Sequence, residues 1–319
     1  MSDAARIAVI GAAGWAGRRH VDAFCTVGGR VVALIDPDPR VYTMAGTIGA
    51  QVLESPSDLL AEGIDLVVVS LPSSLQPGVS AELLRRGLRV LVEKPIGSSA
   101  ANAAVLCEVS GIGETMMVGY TLHHHPIARA LATWVAGVDV ISVSVRSAAT
   151  KSTIDSWRVV PEEGGVTVVN GIHAIEYVAS LFPGEARVHS VYSSDQLHQA
   201  SVSDYTAATL TFADGPLFRL ETYWSPWNHS SGLNRNDWAF EVDVIAREGR
   251  RKWSNWSLHG WDRLGSETVD HFPEVDLFVE QAKKAIRFAA GDQPTVGFRQ
   301  ALRATQIADE IVNRGRERV

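Results

Sequence analysis

Cysteine is almost absent from the 319-residue sequence, which contains only Cys25 and Cys107. Both lie in apolar segments that favour helix, so we expect buried, reduced thiols rather than a disulfide framework or a zinc site. The sequence also lacks an apolar run of the roughly 18 residues that a membrane span requires, and its first residues lack the features of a signal peptide. We therefore expect a soluble, cytoplasmic protein.

Charge of either sign is sparse and evenly spread. Charged residues make up 20% of the chain, the formal net charge is -7, and no run of five like charges occurs. Without a basic patch, neither nucleic acid nor a membrane surface is an expected partner. A hydrophobic content of 46% excludes a disordered chain, and the length favours two domains, each with its own core.

Short runs of consecutive apolar residues alternate with helix-like stretches over the first 120 residues. Strands that are apolar on successive positions are covered on both faces, as in a parallel sheet between helices. We predict an α/β fold whose first domain, residues 1–120, is doubly wound. The predicted strands are Ile7–Ile10, Val31–Ile35, Leu66–Ser70, Val90–Val92 and Met116–Val118.

Beyond residue 120 the apolar residues alternate with polar ones, which is typical of an antiparallel sheet with one covered face. We predict that residues 121–319 form an α+β domain with a large, mainly antiparallel open sheet, and that the C-terminal helix can pack back on the first domain. The predicted strands are Val138–Arg146, Ala186–Ser194, Thr206–Phe212, Leu217–Tyr223 and Phe240–Ala246. The predicted helices are Ile127–Val135, Val166–Phe182, Pro273–Ala290 and Phe298–Arg314.

Glycines concentrate between the first predicted strand and the first helix, from Gly11 to Gly17. Backbone amides and the helix dipole at such a turn can receive a pyrophosphate, as in a Rossmann domain. The G-x-G-x-x-G pattern is not fully met, because Ala13 and Ala16 replace its second and third glycines. A glycine-rich turn without a ligand explains this segment alone equally well. The dinucleotide-binding hypothesis assigns contacts to Gly11, Ala13, Gly14 and Trp15.

Asp36 ends the second predicted strand, 19 residues after Gly17. A carboxylate there can accept hydrogen bonds from the adenosine ribose and repel a 2'-phosphate, which favours NAD over NADP. NADP is not excluded, because Arg40 is close enough in sequence to receive that phosphate. The alternative is that Asp36 only caps the turn in Asp36-Pro37-Asp38-Pro39.

Lys94 follows directly on a buried strand in a chain where only five of the 29 basic residues are lysines. The carboxyl end of a parallel strand faces the ligand crevice. A lysine that is partly desolvated beside an oxidised nicotinamide has a lowered pKa and can exchange a proton with a substrate hydroxyl. The alternative is a surface pair between Lys94 and Glu93.

The motifs of the chain, taken in the order in which they occur, resemble those of the Gfo/Idh/MocA family of NAD(P)-dependent oxidoreductases over nearly the whole length. The matching segments are Gly17-Arg18-Arg19-His20, Asp36, Ser70-Leu71-Pro72, Val92-Glu93-Lys94-Pro95, Gly119-Tyr120, Trp157-Arg158, Gly164-Gly165, Gly171-Ile172-His173 and Val296–Val319.

The resemblance implies a catalytic pair, Lys94 at the reacting oxygen and His173 close to the carbon that exchanges hydride. It implies cofactor contacts from Leu71, Pro72, Gln76, Glu93, Lys94 and Arg158. It implies substrate contacts from Lys94, Trp157, Asn170 and His173, and His123 is a further candidate for a substrate contact. Histidine suits general base catalysis, because its ordinary pKa lies nearest neutrality.

Two departures from the family pattern concern the substrate site. Many sugar dehydrogenases of the family have an aspartate four residues before the histidine, where this chain has Val169 beside Asn170. An arginine that often follows the Gly-Tyr segment is replaced by His123. The run His123-His124-His125 allows a zinc hypothesis if it is extended, but no nearby carboxylate or cysteine has ligand-like spacing, and we expect no metal.

The leading hypothesis is hydride transfer between NAD(H) and a secondary alcohol or ketone of a sugar, cyclitol or nucleotide-linked sugar. Two alternatives stay open, an NAD-dependent glycosidase-like enzyme and a non-catalytic dinucleotide sensor. Tryptophans concentrate in the second half, where core and subunit interface explain them better than a sugar-stacking platform. We expect a homodimer or homotetramer formed through the open sheet.

Overall fold

The computed structural model describes residues 4–150, 157–213, 215–227, 238–254 and 256–316. The last three residues of the Val296–Val319 segment lie outside these ranges. The chain divides into two compact units, one running to Thr121 and including Val275–Leu302, the other comprising Leu122–Glu274 and the residues from Arg303 onward. The first unit therefore consists of two stretches of the chain. Its second stretch, residues 275–302, lies beyond the domain boundary that we predict after residue 120.

The first unit contains a six-stranded parallel sheet. Its strands are β1 (Arg6–Ile10), β2 (Arg30–Ile35), β3 (Gln51–Leu53), β4 (Leu66–Val69), β5 (Val90–Val92) and β6 (Met116–Val118), in the order β3-β2-β1-β4-β5-β6. Its helices are α1 (Trp15–Thr26), α2 (Arg40–Ile48), α3 (Gln76–Arg85), α4 (Ala100–Ala103), α5 (Ile112–Thr115) and α8 (Leu277–Ala289). The order reverses between β1 and β4, and this is the switch point where doubly wound sheets bind ligands.

The core of the first unit forms because β1 and β4 are buried on successive residues, as the apolar runs predict. Phe24 of α1 and Phe288 of α8 are fully buried against these strands. Each such side chain contributes about 1.5–3 kcal/mol through its burial. α8 therefore completes the core of the first unit, although it lies far from the strands of that unit in the sequence.

The second unit contains an eight-stranded mixed sheet. Its strands are β7 (Val140–Thr150), β8 (Ala186–Ser194), β9 (Tyr205–Phe212), β10 (Leu217–Ser225), β11 (Trp238–Ala246), β12 (Gly249–Ser254), β13 (Ser257–Asp262) and β14 (Glu267–His271), in the order β14-β13-β12-β11-β7-β10-β9-β8. β7 and β10 run parallel, and the other neighbours are antiparallel. Its helices are α6 (Pro126–Val135), α7 (Ile172–Leu181) and most of α9 (Phe298–Arg316), in which the unit boundary falls.

β9 and β10 of the second unit show the predicted alternation. β9 alternates between half-buried and buried residues along its whole length. The turn that leads into α7 approaches β10 closely, since a Cβ on Gly171 would lie 2.9 Å from the methyl group of Thr222. The buried residues of β10 therefore face the helix. The alternate residues of β10, which include Arg219 and Glu221, lie on the open face of the sheet.

The prediction of buried thiols is wrong, because Cys25 and Cys107 are both exposed. α1 buries Val21 and Phe24, and Cys25 lies about 100° further round the helix, away from that face. Cys107 belongs to the 3-10 helix Ala104–Glu108, which buries only Leu106. None of the helices in the described ranges combines the length and apolar character that crossing a bilayer needs.

Candidate active site

The glycine segment forms a tight turn between β1 and α1. Gly11 has φ +77°, and a Cβ there would stand 2.0 Å from the carbonyl oxygen of Ser70. A Cβ on Gly17 would stand 2.0 Å from the carbonyl oxygen of Gly11. Gly14 caps α1 without a side chain to accept from the first amides. The turn is thus a backbone cradle at a helix N-terminus, which suits the pyrophosphate of a dinucleotide.

Asp36 fixes this cradle to the end of β2. One carboxylate oxygen, Oδ2, accepts from the amide of Ala13 at 2.9 Å, and the other, Oδ1, accepts from the amide of Asp38 at 2.9 Å. Asp36 therefore closes its own turn and also ties down the glycine segment. Each oxygen keeps a second lone pair for a ligand hydroxyl.

Arg40, the residue that left NADP open, pairs with Asp38 in the structure. Its Nη2 lies 2.6 Å from Oδ2 of Asp38. Hydrogen bonds from the Arg40 side chain and backbone lower the pKa of Asp38 to about 2. The Arg40 charge is therefore already partnered by a carboxylate.

Gln76 begins α3, after Leu71 and Pro72 at the carboxyl end of β4. The side chain is buried and its Nε2 donates to the carbonyl oxygen of Pro95 at 2.6 Å. Within the described residues its Oε1 has no hydrogen-bond partner. A buried acceptor left unpaired costs about 1–3 kcal/mol, so this amide oxygen is suited to accept from a ligand. Together with the glycine cradle, it shows that the chain fits a dinucleotide.

Glu93 and Lys94 follow β5. Glu93 is buried, with Oε1 2.7 Å from Nε2 of His20 and Oε2 accepting from the Lys94 amide at 3.2 Å. Lys94 is half-buried and is joined to Pro95 by a cis peptide bond. The Glu93 carboxylate thus serves as a hydrogen-bond acceptor inside the unit, next to the lysine predicted to react.

His20 is a site residue that the sequence reasoning did not select. It lies on α1, is 1% exposed, and packs beside Phe24 and Phe278, with ring centroids 6.3 and 5.1 Å away. The available signal was its place at the end of the Gly17–His20 motif. Its hydrogen bond to Glu93 links the glycine segment to the Lys94 strand.

The segment before His173 is wound as a π-helical turn, Thr167–Gly171. In an α-helix, residues four apart lie on the same face, but a π-helical turn is wound differently. Val169 and His173 therefore do not have the α-helical spacing that the sequence suggests. Val169 is buried in an apolar cluster with Val166 and Trp224. The position where relatives have an aspartate is therefore part of a hydrophobic core.

Asn170 and His173 are both held by tryptophans. The Trp224 indole donates to Oδ1 of Asn170 at 2.6 Å. The imidazole of His173 lies 4.9 Å from the Trp238 ring, and the Trp238 indole donates to Oγ of Ser147 at 3.0 Å. Trp224 is fully buried, in agreement with a core role.

His123 and Glu176 form a second carboxylate–histidine pair. The Nε2 of His123 lies 2.9 Å and 2.8 Å from the two oxygens of Glu176, whose side chain is 0% exposed. Although burial alone would lower it, the pKa of His123 is raised by the charge and the hydrogen bond of Glu176. The sequence reasoning did not select Glu176. The available signal was that it is the single acidic residue in the largely apolar α7.

The histidine run is not extended, because Thr121–His124 is a 3-10 helix. His125 caps α6, its Nδ1 accepting from the Ile127 amide at 3.1 Å. Burial, assisted by the charge of Arg129, lowers the pKa of His125 to about 3. His123 and His125 thus have different partners, and the described residues contain no group of three potential metal ligands.

Trp157 and Arg158 lie in the 3-10 helix Trp157–Val159. The Arg158 guanidinium stacks over the Trp157 ring, 4.7 Å from its centroid, and burial lowers its pKa. A cation over an indole face is held by the ring quadrupole.

The predicted site residues are divided between the two units. The first unit contains Gly11, Ala13, Gly14, Trp15, Asp36, Leu71, Pro72, Gln76, Glu93 and Lys94. The second unit contains His123, Trp157, Arg158, Asn170 and His173.

The strand order of the first unit, the glycine cradle and the acceptor oxygens of Asp36 and Gln76 define a dinucleotide-dependent oxidoreductase. Residues 5–120 match the Gfo/Idh/MocA oxidoreductase family, NAD-binding Rossmann fold, and residues 138–242 match its C-terminal alpha/beta domain. The chain belongs to the Gfo/Idh/MocA family of NAD(P)-dependent oxidoreductases.

Known relatives agree with this assignment. The chain is 26% identical over 269 residues to D-xylose 1-dehydrogenase (NADP(+)) 2 of Haloferax volcanii, which covers 79% of this chain and 78% of that protein. A putative NADPH-dependent oxidoreductase from Desulfitobacterium hafniense has the same fold, with a TM-score of 0.83, 20% identity, and coverage of 99% of this chain and 97% of that one. A 3-ketoreductase from Actinomadura kijaniata, solved with NADP and TDP-benzene, gives a TM-score of 0.81 at 20% identity, with 97% of each chain covered.

Proposed function

We propose that the protein transfers hydride between NAD(H) and a secondary alcohol or ketone of a sugar, cyclitol or nucleotide-linked sugar. The observation that carries this proposal is the glycine cradle at the switch point of a sheet in which Glu93-Lys94 directly follow β5. The sugar class is supported by the names of the relatives, a xylose dehydrogenase and a 3-ketoreductase.

In this proposal Lys94 hydrogen-bonds the reacting oxygen and exchanges its proton, and His173 assists. A bound nicotinamide supplies the hydride acceptor or donor. Gln76 offers its free Oε1 to the ribose hydroxyls, and the α1 N-terminus receives the pyrophosphate. Arg158 is proposed as a further cofactor contact, and Trp157 and Asn170 as substrate contacts.

NAD is proposed as the preferred cofactor because Asp36 is a fixed carboxylate beside the cradle. Its two backbone hydrogen bonds hold the carboxylate in place. A 2'-phosphate would meet this negative charge, while Arg40 is paired with Asp38. Thermal stabilisation by NADH larger than by NADPH at equal concentration tests the preference, and stabilisation by NADPH alone refutes it.

The proposed role of Lys94 is tested with Lys94→Ala and a panel of sugars, cyclitols and their ketones. We expect kcat to fall by about 10²-fold or more, since general acid–base groups contribute ~10²–10⁴-fold, while NADH binding is retained. The control is Lys283→Ala, which removes an exposed lysine that pairs with Glu280 on α8.

Three outcomes contradict the proposal. Full turnover by Lys94→Ala on the identified substrate excludes the role of Lys94. Tightly retained NAD with glycoside cleavage and no net reduction indicates the glycosidase-like alternative, and binding of NADH without turnover on any ketone indicates a sensor.

A further inference from the structure

Asp38 and Arg40 form a bidentate ion pair at the start of α2. The Nε atom of Arg40 donates to Oδ1 of Asp38 at 3.0 Å and to Oδ2 at 2.9 Å, and its Nη2 donates to Oδ2 at 2.6 Å. The backbone amide of Arg40 also donates to Oδ1, at 2.9 Å. Paired bonds between a guanidinium and a carboxylate fix the direction of the arginine side chain. The guanidinium of Arg40 is therefore directed at Asp38.

Asp38 is held in turn by the carboxylate that we propose to contact the adenosine ribose. Its amide donates to Oδ1 of Asp36 at 2.9 Å, and Oδ2 of Asp36 accepts from the amide of Ala13 at 2.9 Å. Hydrogen bonds thus connect the glycine cradle, Asp36, Asp38 and Arg40 in that order. In Rossmann domains the carboxylate at this point contacts the ribose 2'-hydroxyl, and an arginine nearby receives the 2'-phosphate of NADP.

The charges of this segment act on one another. The hydrogen bond and charge of Asp38, and then the charge of Asp36, raise the pKa of Arg40. Hydrogen bonds from Arg40, with a further contribution from the charge of Arg18 on α1, lower the pKa of Asp38 to about 2. Asp38 is therefore ionised at neutral pH, and a 2'-phosphate would compete with this carboxylate for the same guanidinium.

We propose that Asp38 determines cofactor specificity by withholding Arg40 from the 2'-phosphate of NADP. This rests on the proposed function, in which NAD is the preferred cofactor. Asp36 disfavours the phosphate through its own charge. Asp38 acts through Arg40, because it engages the cation that would otherwise compensate for Asp36. Two carboxylates, separated by Pro37, thus act on the same group of the ligand in different ways.

The ion pair can be changed without disturbing the fold. The Arg40 side chain is 61% exposed, and exposed ion pairs contribute little to stability. In Asp38→Asn the side-chain oxygen can still accept from the Arg40 amide, whereas the negative charge and one acceptor for the guanidinium are lost. Without ligand, we expect this variant to melt within about 2 °C of the wild type.

The test measures the binding of NADH and NADPH to the wild type, Asp38→Asn, Arg40→Gln and the double variant, by nucleotide fluorescence at constant ionic strength. We expect the Kd for NADPH, relative to that for NADH, to fall about tenfold in Asp38→Asn, which is the effect of one charge-assisted hydrogen bond. The double variant should lose this gain. Arg40→Gln should weaken NADPH binding at least about fivefold more in the Asp38→Asn background than in the wild type, as a double-mutant cycle measures.

Two smaller ligands probe the adenosine end without the nicotinamide. We expect Asp38→Asn to bind adenosine 2',5'-bisphosphate more tightly than the wild type does, and to bind adenosine 5'-phosphate with the wild-type affinity. The matched control is Asp292→Asn, which removes the same charge from an exposed ion pair with Arg287, just after the end of α8. The control should keep the wild-type preference between the two dinucleotides.

A change of less than about twofold in the NADPH preference of Asp38→Asn overturns the proposal. A gain that persists in the double variant also overturns it, because the charge of Asp38 then acts on the phosphate directly and not through Arg40. A loss of about tenfold in NADPH affinity for Arg40→Gln alone has the same consequence, since Arg40 would then be available in the wild type.

Failure of the proposed function gives different results. A wild type that prefers NADPH contradicts the proposed NAD preference, and the cycle between Asp38 and Arg40 still decides the role of Asp38. Absence of turnover with every substrate concerns hydride transfer alone, because each of these measurements is of binding. Binding of neither dinucleotide to any of the four proteins contradicts both proposals.

Discussion

In each unit a buried carboxylate is paired with a histidine side chain. Glu93 meets His20 at 2.7 Å in the first unit, and Glu176 meets His123 at 2.8 Å in the second. Removing one partner of a buried pair leaves the other without compensation, which costs about 3–5 kcal/mol. The two histidines are therefore structural requirements of their carboxylates, whatever chemistry they also perform.

His20→Phe tests this requirement in the first unit. The phenyl ring fits between Phe24 and Phe278, but it cannot hydrogen-bond Glu93. We expect the free energy of unfolding to fall by about 3 kcal/mol, and NADH binding to weaken, because Glu93 leads directly into Lys94. Urea unfolding and NADH titration measure the two effects.

His20→Gln is the matched control, since its side-chain amide can donate to Glu93 from nearly the same place. We expect it to retain more stability and more NADH affinity than His20→Phe. Equal stability of the two variants would show that Glu93 does not depend on the hydrogen bond.

Local patterns predicted the glycine segment and Asp36, and the structure holds these two together through the Ala13 amide. The partners of Glu93 and Glu176 were not predictable in the same way. They lie 73 and 53 residues away in the chain, and no periodicity relates the positions. What the sequence does show is the anomaly itself, a single acidic residue within an apolar run.

Among the helices, α8 belongs to a different unit from the one that its position in the sequence suggests. It follows the strands of the second unit in the chain but packs on α1, where Trp15 lies edge to face with Phe278 at 5.6 Å. Asp276 begins it, accepting from the Phe278 amide at 3.0 Å and from Nη2 of Arg19 at 2.8 Å. One carboxylate thus caps α8 and joins it to α1.

Asp276→Ala should lower the free energy of unfolding by about 1 kcal/mol, the usual value of an N-cap. Asp276→Asn keeps a capping oxygen and removes only the half-exposed ion pair with Arg19, for which about 0–1 kcal/mol is usual. Hydrogen exchange at the Phe278 and Val279 amides, together with urea unfolding, measures the effect. Unchanged exchange of these amides in Asp276→Ala would exclude capping.

Elements with regular hydrophobic spacing were predictable, and those without it were not. The five predicted strands of the first domain are all present, whereas β3 of the first unit and β12, β13 and β14 of the second unit were missed. β14 is exposed at every residue, so it has no apolar pattern, and β12 is rich in arginine and lysine. The π-turn before α7 was also missed, because the predicted helix Val166–Phe182 covers it and no sequence pattern marks where the winding changes.

At the scale of the whole molecule, we expect the open face of the eight-stranded sheet to be the surface through which copies of the chain associate. It forms a groove of about 620 Å³ whose walls include Tyr192, Tyr205 and Glu221. Its charges are matched within the face, where Arg146 pairs with Glu241 at 2.7 Å. An aromatic, internally neutralised surface is suited to pack on a second copy of itself about a two-fold axis.

Ala207→Arg tests that arrangement. Ala207 lies on this face between Tyr192 and Glu221 on the neighbouring strands, so a long cation there would project into the path of a second copy. We expect the wild type to elute as a dimer or tetramer, and Ala207→Arg to shift to monomer with its NADH binding intact. Light scattering after size exclusion measures the mass, and Ala101→Arg, on the exposed side of α4, is the control that keeps the wild-type mass. A monomeric wild type, or an Ala207→Arg variant that stays assembled, would exclude this face as the interface, because a stable interface of ~1,600 Å² could not close around an unpartnered arginine at its centre.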